Sequence, residues 1–212
     1  MNIYPNKLTK ICISISKNPG TSGSKFHNTG YRLLNLNYLY MPFKFDNLDN
    51  LRIILNKLHV RGCSVSMPFK EKIVKLLDLK DISTIETNAA NTLVCKGELI
   101  KGYNTDYYAI KEIIKKINLK ETDSILLLGN GGVARTIHEY IKKIKVKKIY
   151  LCARDISKFN DWKKKKNSVI LNWHKRNKLD ASILINATPI GMKNKSLPIE
   201  LARIKKYRSV LD

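Results

Sequence analysis

A glycine-rich turn at residues 129–132 is the segment whose residue types most clearly suggest a chemical role. Gly129, Gly131 and Ala134 match the pattern G-x-G-x-x-G/A, which allows a tight turn, close approach of the backbone to a pyrophosphate and close helix–strand packing. Free N–H groups of a following helix would bind the phosphate oxygens. A dinucleotide site is therefore predicted, and a glycine turn without ligand is the alternative. Its candidate residues are Gly129, Asn130, Gly131, Gly132, Val133 and Ala134.

Arg154 and Asp155 follow a second apolar segment and bear on the choice of cofactor. At this position a carboxylate binds the ribose hydroxyls of NAD, whereas an arginine binds the 2′-phosphate of NADP. The planar guanidinium of Arg154 suits a charge-assisted phosphate contact. We therefore predict NADP as the cofactor, and Asp155 leaves NAD as the alternative. Thr188 and Met192, which follow the fourth predicted strand of this region, are further candidate cofactor contacts.

The pattern of apolar residues predicts an α/β protein that positions these segments. Residues 125–128 form a short continuous apolar run, which is typical of a strand buried on both faces. Strands and helices alternate along the chain, and this alternation indicates largely parallel sheets. Strands are predicted at residues 10–16, 38–45, 62–66, 91–102 (a hairpin), 125–128, 146–153, 169–171 and 182–186, and helices at 24–34, 46–58, 70–77, 107–116 and 133–143.

The composition narrows the classes of function. A net charge of +23 would suit nucleic-acid binding, but the lysines are scattered and no nucleic-acid-binding motif is present, so we predict small anionic ligands instead. The cysteines match no metal or redox spacing and are expected to be buried free thiols, so no metal is predicted. They are Cys12, Cys63, Cys95 and Cys152. No apolar run could span a bilayer and residues 1–10 lack a signal-peptide core. A cytoplasmic protein without membrane contact is therefore predicted, and an organelle location is the alternative.

Five short blocks fall at the ends of predicted strands, where α/β sheets bind ligands. They cover residues 64–70, 90–92, 102–106, 129–132 and 186–192. Their types and order resemble the shikimate dehydrogenase family, including its shikimate dehydrogenase-like and quinate/shikimate dehydrogenase branches. The match is close in Val65-Ser-Met-Pro-Phe-Lys70, in Asn91-Thr92 and in Asn104-Thr105-Asp106. The resemblance extends over nearly the whole chain from Ile11 onward.

The resemblance implies an oxidoreductase of chorismate and aromatic amino acid biosynthesis, which reversibly reduces 3-dehydroshikimate to shikimate with NADPH. A quinate/shikimate or related polyol-acid dehydrogenase and a non-catalytic nucleotide-binding remnant are the alternatives. Residues 1–104 would form an N-terminal α/β substrate-binding and catalytic domain, and residues 105–212 a Rossmann-like NAD(P)-binding domain. A monomer and a homodimer are both compatible with the sequence.

The resemblance further implies a catalytic pair, Lys70 and Asp106. While a hydride joins or leaves a ring carbon, a lysine steadied by a carboxylate can transfer the proton of the attached oxygen. From the residues alone, Lys70 would be a surface lysine and Asp106 a residue favoured at a helix N-terminus. Substrate contacts are implied at Ser66, Asn91 and Asp106, and hydrogen bonding within turns is the alternative for Ser66 and Asn91.

The segment at residues 21–28 departs from the family pattern. Family members usually carry Ser-x-Ser-Pro before a His-Asn pair, and those serines bind the substrate carboxylate. Here the segment reads Thr-Ser-Gly-Ser-Lys-Phe-His-Asn, so the proline is replaced and Ser22 and Ser24 are shifted by one residue. The departure resembles the dehydrogenase-like branch and bears on substrate identity. Ser24 is also a candidate helix N-cap, and His27 is expected to be structural.

The chain ends at Asp212, where the resemblance implies that a further strand begins. The family segment that would follow holds the last strands of the nucleotide sheet, a glutamine that contacts substrate, and helices that pack on the first domain. We therefore expect an incomplete nucleotide domain in which the strand after Val210 is unformed.

Overall fold

The computed structural model describes residues 5–160, 162, 166–192 and 194–212. Residues 1–4, part of the segment considered as a signal peptide, lie outside this description. The chain separates into two compact units, residues up to Thr105 and residues 106–212. This division lies one residue beyond the predicted boundary, and the separate roles assigned to the two regions remain predictions.

The first unit is a mixed α/β structure. Its elements are β1 (Lys10–Ser16), α1 (Ser22–Leu33), β2 (Tyr38–Lys44), α2 (Leu51–Lys57), β3 (Val60–Val65), a 3₁₀ segment (Lys72–Leu76), β4 (Leu79–Lys80), α3 (Ile82–Thr87), β5 (Thr92–Lys96) and β6 (Leu99–Tyr103). The strand order is β2-β1-β3-β5-β6-β4. Strands β1, β2 and β3 are parallel, and the hairpin of β5 and β6 joins them antiparallel to β3.

Three local predictions for this unit were wrong. The helix begins at Ser22, so Thr21 is the N-cap, and Ser24 instead donates its hydroxyl hydrogen to the Thr21 carbonyl at 2.9 Å. A 3₁₀ segment replaces the predicted helix at 70–77, and the Val74 N–H there donates to the Glu71 carbonyl three residues back, at 3.4 Å. Helix α3 was missed, although its cap Asp81 accepts a bond from the Ser83 N–H at 3.0 Å.

The second unit has the predicted Rossmann-like architecture. Its elements are β7 (Ser124–Leu128), α5 (Gly132–Ile141), β8 (Lys148–Ala153), a 3₁₀ segment (Ile156–Phe159), β9 (Ser168–Asn172), a second 3₁₀ segment (Trp173–Lys178), β10 (Ile183–Asn186), α6 (Leu201–Ile204) and β11 (Ser209–Leu211), and it is preceded by α4 (Thr105–Ile117). The strand order is β11-β10-β7-β8-β9, and every pair is parallel.

The central strand β7 is buried on both faces, as its continuous apolar run predicted. Ile125 and Leu127 pack with residues of α4 and α5, whereas Leu126 and Leu128 pack in a separate cluster with Leu184 of β10. Burying each such side chain contributes about 1.5–3 kcal/mol. The strand therefore fixes the position of the glycine turn that directly follows it.

Strand β11 corrects the expectation that the strand after Val210 is unformed. Residues 209–211 pair in parallel with residues 183–185 of β10. Just before this strand, the N–H of Arg208 donates to the carbonyl of Ser182 at 2.7 Å. The Arg208 guanidinium also forms an ion pair with Asp123, which is almost fully buried. These bonds extend the parallel sheet across residues 209–211.

His138 is a fully buried histidine on α5 without a hydrogen-bond partner among the described residues. Its ring lies 5.1 Å from the ring of Trp162, measured between centroids. Burial, together with the charge of Lys142, lowers the pKa of His138 from 6.5 to about 4. The folded protein therefore holds this imidazole neutral at a pH where the unfolded chain binds a proton.

We expect the free energy of unfolding to decrease as the pH falls from about 6.5 to about 4, because only the unfolded chain gains a proton at His138 in that interval. Between about pH 7.5 and about pH 5, His138 is expected to lower the free energy of unfolding by about 2 kcal/mol. Urea unfolding at the two pH values measures it. His138→Leu should remove most of the difference, while His174→Gln, at an exposed histidine, should preserve it. An unchanged pH dependence in His138→Leu would assign the effect elsewhere.

Candidate functional site

The glycine turn after β7 has a backbone conformation that requires glycine. Gly129 has a φ of +108°, and a Cβ atom there would lie 2.7 Å from the carbonyl oxygen of Ala187. The Gly129 N–H donates to the carbonyl of Cys152 at 2.9 Å, and the Ala187 N–H donates to the carbonyl of Leu128 at 2.9 Å. The turn is thus held between the ends of β8 and β10.

Helix α5 begins directly after this turn and presents free backbone donors. Gly131 is its N-cap, and the first intrahelical bond runs from the Arg135 N–H to the Gly131 carbonyl at 2.9 Å. The N–H groups of Gly132, Val133 and Ala134 consequently have no partner within the helix. Together with the helix dipole, such groups favour a phosphate.

A cavity of about 260 Å³ lies beside the glycine turn at the carboxyl ends of the parallel strands. It is lined by Gly129, Asn130, Gly131, Ala153, Arg154, Asp155, Lys158, Trp173, Ala187, Thr188, Pro189 and Ile190. The structure thus brings together five of the nine predicted cofactor residues: Gly129, Asn130, Gly131, Arg154 and Thr188.

The other four predicted cofactor residues do not line this cavity. Gly132 and Val133 form the first turn of α5, and the side chain of Val133 is exposed. Ala134 is fully buried in the core of the unit, so its small size serves the packing of α5 against β7. Met192 is 82% exposed, beyond the turn that follows β10.

The carboxylate of Asp155 is hydrogen-bonded to a residue two positions further along the chain. It accepts hydrogen bonds from the N–H and the hydroxyl of Ser157, at 3.0 and 2.6 Å, and so caps the following 3₁₀ segment. These bonds lower the pKa of Asp155. Asn130 donates its side-chain N–H to the Asp155 carbonyl and ties the glycine turn to the segment that carries Arg154. Arg154 and Lys158 remain as exposed cations on the cavity wall.

Two lining residues were missed by the sequence reasoning. Lys158 lies four positions after Arg154, and its charge was the available signal. Trp173 directly follows β9, and the Arg176 guanidinium lies 4.4 Å from the centroid of its indole ring. Lysines and aromatic residues are scattered along the whole sequence, so neither residue could be singled out by its type. Only the packing of β8 and β9 shows that both lie on the cavity wall.

In the first unit, the residues after β3 form a tight and well-bonded turn. The Ser66 N–H donates to the Ile15 carbonyl at 3.0 Å, and the Phe69 N–H donates to the Ser66 carbonyl at 2.9 Å. The carbonyl of Lys70 accepts a bond from the Ala90 N–H at 2.8 Å. These bonds fix the backbone of both Ser66 and Lys70, whose side chains are exposed and half-buried respectively.

Asn91 lies beside this turn, since its carbonyl accepts a bond from the Val65 N–H at 2.8 Å. Its side chain binds Thr105: the amide nitrogen donates to the threonine hydroxyl at 2.9 Å, and the amide oxygen accepts from the Thr105 N–H at 3.0 Å. The structure thus brings Ser66, Lys70 and Asn91 together. Asp106 is the second residue of α4 and the first of the second unit.

The serines of α1 and the adjacent histidine lie at the start of that helix. Ser22 is exposed, and Ser24 is half-buried with its hydroxyl bonded to the carbonyl of Thr21. The ring of His27 stacks on Tyr40, with centroids 4.4 Å apart. That contact gives His27 a packing role between α1 and β2.

Among the described residues, no group of three His, Cys, Asp or Glu side chains is placed to hold a metal ion, and no helix has the length and apolar character to cross a membrane. All four cysteines are free. Burial raises the pKa of the Cys95 and Cys152 thiols to about 11, so both are protonated at neutral pH.

The parallel five-stranded sheet with a glycine turn after its central strand defines a Rossmann-like dinucleotide-binding fold. Residues 14–93 match the family model of the shikimate dehydrogenase substrate binding domain. Over 202 residues the chain is 32% identical to a shikimate dehydrogenase-like protein of Haemophilus influenzae, covering 95% of this chain and 74% of that protein. The chain therefore belongs to the shikimate dehydrogenase family and is a shikimate dehydrogenase-like oxidoreductase.

Two further comparisons agree with this assignment. The chain is 34% identical over 196 residues to a shikimate dehydrogenase (NADP(+)) of Nitrosopumilus maritimus, covering 88% of this chain and 72% of that protein. It also superposes on the solved structure of a shikimate 5-dehydrogenase-like protein with a TM-score of 0.86 and 30% identity, covering 98% of this chain and 78% of that one.

Proposed function

We propose that this chain catalyses the reversible reduction of 3-dehydroshikimate to shikimate with NADPH. The observation that carries the proposal is the cavity beside the glycine turn, where Arg154 and Lys158 offer two cations and the Asp155 carboxylate is bonded to Ser157. Such a wall favours the extra phosphate of NADP over the bare ribose of NAD. The name of the Nitrosopumilus relative, which specifies NADP(+), supports the same cofactor.

In the proposed reaction, NADPH held beside the glycine turn would supply the hydride that the carbonyl carbon of the substrate accepts. The Lys70 ammonium donates a proton to the carbonyl oxygen, which becomes the hydroxyl of shikimate, and Asp106 steadies the ammonium. Ser22, Ser24, Ser66 and Asn91 are the proposed contacts of substrate hydroxyl and carboxylate groups. Shikimate and 3-dehydroshikimate are small anions, which suits a chain with a net charge of +23.

A quinate/shikimate or related polyol-acid dehydrogenase is the second candidate. It is favoured by the segment at residues 21–28, where the Ser24 hydroxyl already donates to the Thr21 carbonyl and the usual proline is replaced. A different set of carboxylate contacts would admit a different ring acid. The two candidates share the cofactor site and the proton transfer, so they differ only in substrate.

Turnover of shikimate and of quinate, each with NADP⁺ and with NAD⁺, tests the proposed function. The absorbance of the reduced nicotinamide measures the rate. We expect the highest kcat/KM for shikimate with NADP⁺. Higher kcat/KM with quinate would establish the second candidate, and cofactor binding without turnover of either acid would favour a non-catalytic nucleotide-binding protein.

Replacing Arg154 with alanine should weaken NADP far more than NAD, because only NADP carries the extra phosphate. A hydrogen bond to a charged group contributes about 1.5–3 kcal/mol, which corresponds to a roughly 10–100-fold rise in KM for NADP. The ratio of the two KM values measures the effect. Lys178→Ala, at an exposed lysine that does not line the cavity, serves as the control. Equal weakening of both cofactors would make the role of Arg154 structural.

A further inference from the structure

A second cavity, of about 290 Å³, lies at the opposite end of β3 from the turn that carries Ser66 and Lys70. It is lined by Asn56, His59, Val60, Arg61, Cys95, Gly97 and Glu98. Strand β3 has six residues, which at about 3.3 Å per residue separates its two ends by roughly 17 Å. This cavity is therefore distinct from the candidate substrate residues at the carboxyl end of the strand.

Arg61 is the anchored cation of this cavity. One of its terminal nitrogens donates to the Cys95 carbonyl at 3.0 Å, which orients the half-buried guanidinium. Within the part of the chain that the structure describes, its remaining N–H groups have no protein partner. A guanidinium has five N–H donors in a planar fork, so the free ones are suited to a bidentate contact with a carboxylate or phosphate.

Other polar groups on the wall are also available. Among the described residues, the side chains of His59 and Asn56 have no protein hydrogen-bond partner. The backbone N–H of His59 donates to the Asn56 carbonyl at 3.1 Å. The carboxylate of Glu98 is exposed at the rim. Val60 and Cys95 are buried and form the apolar part of the wall.

The charged residues of the cavity lining are the half-buried Arg61 and the exposed Glu98. Arg52 lies nearby and donates to the Glu98 carbonyl at 3.1 Å, but its charge is paired with Asp78 at 2.8 Å. Burial raises the pKa of the Cys95 thiol to about 11, so this wall residue is a neutral thiol at neutral pH. Arg61 supplies the unpaired positive charge.

We propose that this cavity binds a small organic anion whose carboxylate or phosphate group contacts Arg61 and His59. Asn56 and Glu98 would bind hydroxyl groups of the same molecule. The volume approaches that of small-molecule sites, about 300 Å³ and above, and exceeds the need of a simple inorganic ion. The proposed site is independent of the nucleotide cavity and of the proposed reaction.

The test is the thermal unfolding midpoint of the full chain, titrated with inorganic phosphate or with acetate at constant ionic strength. We expect a saturable rise, because a ligand that binds only the folded state stabilises it. A saturable rise that Arg61→Gln weakens indicates a phosphate ester as the natural ligand of this cavity when the titrant is phosphate, and a carboxylic acid when it is acetate. A linear, non-saturating response to both anions would overturn the proposal.

Variants of the lining residues test whether the anion binds in this cavity. Arg61→Gln should weaken the apparent affinity at least tenfold, and Arg61→Lys should recover part of it. His59→Asn removes the imidazole and suits the left-handed backbone at that position, where φ is +47°, so it decides the question if Arg61→Gln does not fold. Arg32→Gln, at an exposed arginine outside the cavity, is the control and should leave the affinity unchanged. An unaltered affinity in both Arg61→Gln and His59→Asn would overturn the proposal.

Discussion

Replacing Lys70 with alanine is expected to lower kcat by about 10²–10⁴-fold, the usual contribution of a general acid or base. The bond from the Ala90 N–H to the Lys70 carbonyl and the buried neighbour Phe69 hold the backbone at this position. The substitution should therefore remove the ammonium without moving the segment. Steady-state turnover measures kcat, and titration with NADPH should show a near-normal dissociation constant.

Two variants separate proton transfer from charge and from folding. Lys70→Arg keeps the positive charge but cannot release a proton at neutral pH, so it should remain slow. Lys72→Ala, at an exposed lysine two positions away, is the matched control and should turn over normally. Wild-type turnover in Lys70→Ala would exclude the assignment.

Asp106→Asn should also lower kcat, because the carboxylate steadies the lysine in the proposed mechanism. The double variant of Lys70 and Asp106 should cost less than the product of the two single effects, since residues that act as a unit are not additive. Multiplicative effects would indicate that the two side chains act independently.

The elements that local sequence specifies were predicted well. The apolar run at 125–128 and the glycines after it correctly indicated a strand, a turn and a helix, observed as Ser124–Leu128 and Gly132–Ile141. A buried central strand must be apolar throughout, and a positive φ at Gly129 favours glycine, so both constraints are visible in the residues themselves.

Features that depend on distant contacts were predicted poorly. Strand β4 has two residues and exists through its pairing with β6, and β11 exists through its pairing with β10. Neither contains enough residues for a periodic pattern. The helix predicted at 70–77 failed because tertiary packing buries the adjacent residues Ile73 and Val74 in a 3₁₀ segment.

In the candidate site, too, some residues could be predicted from local sequence and others could not. The glycine turn followed from physical reasoning about phosphate binding, whereas Lys70 could not be singled out among the 40 lysines and arginines without the family resemblance. The hydrogen bonds between Asp155 and Ser157 could not be predicted either. An aspartate that caps a 3₁₀ segment and an aspartate that binds ribose are the same residue type in the sequence. The structure distinguishes them by the hydrogen-bond partner.

Replacing Gly129 with alanine should cause the largest loss of cofactor binding of any single change in the second unit. The backbone there has a φ of +108°, which costs a non-glycine residue about 1–3 kcal/mol. The added Cβ would also lie 2.7 Å from the Ala187 carbonyl oxygen and 3.0 Å from its carbon. These backbone atoms are held by the bond from the Ala187 N–H to the Leu128 carbonyl, so they cannot move aside without breaking the link between the ends of β10 and β7.

We therefore expect Gly129→Ala to lower the free energy of unfolding by about 3 kcal/mol or more and to weaken NADPH binding by more than about 100-fold. Urea unfolding and titration with NADPH measure the two effects. Gly132→Ala is the matched control for folding, because a Cβ there meets no atom within 4 Å and its φ lies outside the positive range, so its stability should stay within about 1 kcal/mol of wild type. If Gly129→Ala unfolds at the wild-type midpoint and binds NADPH normally, neither the positive φ of Gly129 nor its close approach to the Ala187 carbonyl is needed for the turn.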